Sequence, residues 1–81
     1  MAKPFLIASA HRALKQYRPA LDDLNAALAI KKGFANALME RGLLRRDLGD
    51  VGGARTDFLA AQKNGDASIK RDAAAALEAL N

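Results

Sequence analysis

The chain has 81 residues, 51% of them hydrophobic and 5% aromatic, with no cysteine and a formal net charge of +4. That bounds it to one domain with a modest core, and it excludes a disulfide scaffold and a thiolate metal site. No apolar run approaches the roughly 18 residues a spanning helix needs, and alanine and leucine dominate, which favours helix over strand.

The expected elements follow from the punctuation. A first helix is expected from about Pro4 to Gln16, with Phe5, Leu6, Ile7, Ala10 and Leu14 as its apolar residues. Its start, "FLIASA", is short, follows a single lysine and runs into a charged periodic segment, which weighs against a secretory leader. A second helix is expected from near Pro19, whose missing N–H suits a first turn. Leu21, Leu24, Ala27 and Leu28 form its stripe. Lys31 and Lys32 are expected to complement the dipole at its end, and Gly33 to supply a left-handed stop. A third helix is expected from about Ala35 to Leu48, carrying Leu38, Leu44 and Leu48, with Gly42 in its middle and Gly49 ending it. A fourth runs from about Gly52 to Lys63, with Ala54, Phe58 and Ala61 on one face. The last begins at "DASIKRD", where Asp66 or Ser68 can cap it, and carries Ile69, Ala73, Ala76, Leu77 and Leu80. Short links between such helices force antiparallel neighbours.

Shifting the sequence by 34 residues superposes Arg12 on Arg46, Leu14 on Leu48, Ala20 on Ala54, Asp23 on Asp57, Ala26 on Ala60 and Ala27 on Ala61. Leu24 falls on Phe58 and Tyr17 on Val51. With Gly42, the turn pair Gly49-Asp50, Ala54, Phe58 and Ala61 in place, residues 35–68 resemble a tetratricopeptide repeat, a 34-residue helix–turn–helix unit. Residues 1–34 keep Ala8, Tyr17, Ala20, Leu24 and Ala27. They lack the Gly-Asp turn and have His11 where the family usually has an aromatic. Lys32 and Asp66 replace the usual prolines. The resemblance implies an all-α fold, an α–α superhelix of two helix–turn–helix repeats (1–34 and 35–68) closed by a capping helix (69–81). The whole chain, 1–81, is then a single domain.

Little in the chain suggests catalysis. His11 is the only histidine and is expected to pack between helices. Ser9, Ser68 and Thr56 lack an activating context, and the adjacent Asp22 and Asp23 point in different directions on a helix, so they form no acid–base couple. The glycine-rich "GDVGG" at 49–53 follows a helix rather than a strand and lacks the Lys-Ser/Thr of a phosphate loop. It reads as the hinge of a repeat. No enzymatic activity, cofactor or metal is expected.

Arg41 is expected to pair with Asp57, or with Asp23 of the preceding repeat, as a structural bridge. Gly42, Gly49, Ala54, Phe58 and Ala61 are the other structural positions. The resemblance also implies a concave groove lined by the first helix of each pair. Phe5, Ser9, Arg12, Asn36, Met39, Leu43, Arg46 and Asp47 would lie there, with Ala13 beside Arg12 and Lys70 at the far edge. Arg12 and Arg46 could together grip a carboxylate, and Met39 offers an adaptable apolar surface. The lysine–asparagine clamp known in one subset of the family is missing, because Phe5, Ser9 and Glu40 stand at most of its places. The expected function is therefore a protein-interaction module that takes a peptide or protein segment, acidic ones included. The alternatives are a self-associating unit, such as a homodimer through the uncapped N-terminal edge, or a piece of a longer array. Nucleic-acid binding ranks below these because aromatics for base stacking are few. No membrane association is expected. The lack of cysteine fits a reducing compartment, so a cytoplasmic location is expected.

Overall fold

A computed structural model describes residues 17–80. The helix expected over about Pro4–Gln16, with Phe5, Ser9, His11 and Arg12, lies outside the described residues, as does Asn81. Within them the chain is all-helical: α1 (Tyr17–Ile30), α2 (Ala35–Asp47), α3 (Val51–Asn64) and α4 (Ala67–Ala79).

Each boundary has a local cause, and several match the expected punctuation. Asp50 caps α3, its carboxylate accepting from the Gly53 N–H at 2.9 Å. Asp66 caps α4 in the same way, accepting from the Ile69 N–H at 3.0 Å, so Asp66 rather than Ser68 is the cap. Such a side chain satisfies an amide that the helix itself leaves unpaired. Gly49 has φ +87°, the left-handed region where a side chain is disfavoured. It turns the chain between α2 and α3, and the Asp50 N–H closes the turn on the Arg45 carbonyl at 2.8 Å.

Three expectations are corrected. Gly33 is not left-handed, since Gly49 is the positive-φ glycine among the described residues. The α1–α2 link instead closes through the Phe34 N–H on the Lys31 carbonyl at 3.1 Å. What Gly33 supplies is room, because a Cβ there would stand 3.1 Å from Oδ1 of Asn64 at the end of α3. Lys31 and Lys32 lie beyond the last turn of α1 rather than in it, although the Lys31 N–H still bonds to Ala27. Leu48 is 50% exposed, not part of the buried stripe, because α2 ends at Asp47 and Leu48 sits at the bend where no helix covers it. Helical backbone is already present at Tyr17, two residues before Pro19.

Packing follows a simple scheme. α2 and α3 pair most extensively, α4 packs on α3 and touches α2, and α1 packs on α2. Contacts between α2 and α3 match Arg41 with Asp57, Gly42 with Phe58 and Arg45 with Gly53, so one helix ascends as the other descends. That is the antiparallel pairing a three-residue link requires. The close approach depends on Gly42, where an added Cβ would lie 2.5 Å from Cε1 of Phe58. Phe58 and Ala54 are fully buried. Ala20, Leu24, Ala27, Leu28, Ala37, Leu38, Leu44, Ala61 and Ala73 form a core cluster shared by all four helices. On α4 only Ala73 is fully buried. Ile69, Ala76, Leu77 and Leu80 are half-buried, because that helix is covered from one side.

Candidate functional site

The buried polar centre of the molecule is Asp57. It is 1% exposed and sits on the face of α3 that meets α2. Arg41 grips it with a two-pronged fork, Nε donating to Oδ2 at 2.9 Å and Nη2 to Oδ1 at 2.8 Å. Arg45, one turn further along α2, adds Nη1 to Oδ2 at 3.1 Å. Of the two acids available to Arg41, the structure uses Asp57. The reason is geometric: a planar guanidinium on an antiparallel neighbour can present two parallel N–H groups to one carboxylate. The remaining arm of Arg41 turns the other way, and Nη1 donates to Oδ1 of Asn25 on α1 at 3.0 Å. One side chain thus ties α2 to both α1 and α3.

Asn25 and Arg45 escaped the sequence reading, yet both had a readable signal. Arg45 lies four residues after Arg41, so both guanidinia project from one helix face. Asn25, Leu28, Ala29 and Lys32 recur at helical spacing along one side of α1. These four, with Arg41, line an open depression of about 350 Å³.

The groove residues divide. Asn36, Arg46, Asp47 and Lys70 are exposed. Met39 and Leu43 are half-buried, and Met39 packs against the core, so part of the expected apolar floor is used internally. Arg46 donates to its neighbour Asp47 through Nη2 at 3.3 Å, a weak and exposed contact. Phe5, Ser9 and Arg12 lie outside the described residues, so the proposed Arg12–Arg46 pair has only its Arg46 half in view. Asp22 is exposed and Asp23 half-buried on α1.

Among the described residues no three His, Cys, Asp or Glu side chains gather as they would to hold a metal ion. No helix among them is long and apolar enough to cross a membrane. The arrangement offers recognition chemistry: exposed guanidinium, ammonium and amide donors on a rigid helical frame. Compared with known proteins, the chain matches no family model, and no curated protein or solved structure is significantly similar to it.

Proposed function

We propose that the chain is a tetratricopeptide-like interaction module that holds a segment of another protein, an acidic one by preference, along the exposed side of α2. Asn36 and Arg46 provide polar contacts, the outer edges of Met39 and Leu43 an apolar strip, and Lys70 a cation at the far rim. The observation that carries this reading is the α2–α3 pair. Its close approach at Gly42 and Phe58 falls where the 34-residue frame has its small and aromatic residues. Supporting it, α4 packs on α3 and brushes α2, as the first helix of a next unit does in a stacked array. Stacked units of this kind present a continuous surface, which is why they serve as binding scaffolds.

The test is a peptide array probed with the wild-type chain and with a variant carrying Arg12→Glu and Arg46→Glu. Acidic peptides captured by the wild type are expected to be lost by the variant. Equal capture by both removes the arginine grip. A second reading, self-association or stacking in a longer array, draws on the exposed Leu48 and on Val51, 40% exposed, which flank the α2–α3 bend. Sedimentation over a range of concentrations separates the two, because a strict monomer counts against self-association.

A further inference from the structure

The depression beside α1 is a different surface from the α2 groove, and its chemistry is unusually one-sided. α1 and α3 both lie on α2, and the depression opens along α1 where it meets Arg41 of α2. Arg41 forms its floor, bonded on one side to Asp57 and on the other to Asn25. The close approach of Gly33 to Asn64 joins the α1–α2 link to the end of α3. Leu28 and Ala29 make the wall.

The charged side chains lining this space, Lys32 and Arg41, are both cationic. Asn25 turns its oxygen toward Arg41, which leaves its Nδ2 amide free to donate. Arg41 has one further N–H on Nη1 beyond the bond it makes there. Lys32 is exposed, lines the depression and makes no ion pair among the described residues. No carboxylate lines the depression; Asp57, behind its floor, is already held by two guanidinia, leaving one positive charge in excess. The nearest acid along the same side of α1 is the exposed Asp22, one turn before Asn25. A site lined by cationic side chains and an amide donor, with surplus positive charge and no carboxylate, is complementary to an anionic acceptor.

We propose that this notch receives the carboxylate of a glutamate or aspartate side chain from a partner polypeptide. Lys32 forms the ion pair, Asn25 Nδ2 and Arg41 Nη1 donate to the carboxylate oxygens, and Leu28 and Ala29 contact the aliphatic stem. The volume suits one or two side chains, at the small end of ligand clefts. The chain's own first sixteen residues contain no Asp or Glu, so that segment supplies no carboxylate to the notch. The notch rests on the reading of the chain as a binder of acidic polypeptide, and it shares no residue with the α2 groove.

The test uses the full chain, isotopically labelled, followed by NMR. It is titrated with a blocked peptide of alternating Glu and Leu, with the same peptide carrying Gln for Glu, and with inorganic phosphate, all at one ionic strength. The Glu peptide is expected to shift the Asn25 side-chain amide and the backbone amide of Lys32. The Gln peptide is expected to bind about tenfold more weakly, the effect of losing one charge-assisted bond. Lys32→Glu, at an exposed position with no ion-pair partner among the described residues, is expected to abolish the shift without altering the fold. Arg55→Glu, an equal charge change on the exposed side of α3, is expected to leave it in place. Shifts confined to Met39 and Leu43 and removed by Arg46→Glu would overturn the notch and leave the groove standing. Equal shifts from inorganic phosphate would overturn the peptide assignment, as would shifts that grow with protein concentration alone, which mark a second copy as occupant. Silence of Asn25 and Lys32 toward the Glu peptide overturns the proposal outright.

Discussion

Arg41→Ala tests the central bridge, and the structure fixes the size of the effect through the unequal burial of the partners. Asp57 is 1% exposed, whereas the Arg41 and Arg45 side chains keep 20% and 27% of their surface in solvent. Removing Arg41 takes away two of the three bonds that Asp57 accepts and leaves a buried carboxylate on one 3.1 Å contact from Arg45. Stranding a buried charge costs about 3–5 kcal/mol, and water entering the space left by the side chain reduces this to about 2–4 kcal/mol. An 81-residue domain has about 4–12 kcal/mol in all, so the variant should be near the edge of folding. Asp57→Ala strands two guanidinia that can turn outward, and is expected to cost less, about 1–3 kcal/mol. Arg45→Ala removes a single contact and is expected to cost about 0.5–1.5 kcal/mol. The assay is urea unfolding followed by helical circular dichroism, with the Arg41→Ala and Asp57→Ala double variant completing a cycle. The double variant should be more stable than the sum of the singles predicts, because removing the acid relieves the stranded charge. An Arg41→Ala cost below about 0.5 kcal/mol would refute the reasoning. Arg45→Ala costing as much as Arg41→Ala would also refute it.

Three further predictions concern the backbone and its closest approach, each read by urea unfolding. Gly42→Ala gains about 1 kcal/mol of helix propensity but drives a methyl to within 2.5 Å of the fully buried Phe58 ring, so a net loss of about 1–2 kcal/mol is expected. A more stable variant would show that the helices can separate freely. Gly49→Ala and Gly52→Ala should have opposite signs although both face open space: the first loses about 1 kcal/mol at φ +87°, and the second gains about 0.5 kcal/mol inside α3. Equal effects would contradict the left-handed assignment. Asp66→Ala removes the cap of α4 and should cost about 1 kcal/mol, with Asp66→Ser recovering most of it; no recovery would mean that the carboxylate does something other than cap.

How much of this was legible beforehand varies with the range of the interaction involved. The caps at Asp50 and Asp66, the turn at Gly49 and the four described helices were open to a reading of residues and spacing. Each depends on neighbours within one or two turns. The 34-residue frame also brought out Gly42, Ala54 and Phe58 as packing positions, because small and aromatic residues recur where helices approach. Arg45 could have been added from its spacing to Arg41 alone.

Other features were not legible, because they depend on which helix covers which face. Gly33 looked like another left-handed stop, but its local sequence carries no record of Asn64 lying 3.1 Å from where its Cβ would be. Leu48 belonged to an apolar stripe and is exposed because the chain turns before a neighbour can cover it. The notch of Asn25, Lys32 and Arg41 exists because α1 crosses α2 where Arg41 reaches out to it. The sequence by itself determined the described helices and their approximate extents, since backbone preference and capping are short-range. Only the tertiary structure decided which acid Arg41 holds and which donors are left facing solvent. Those depend on the crossing of helices far apart in the chain.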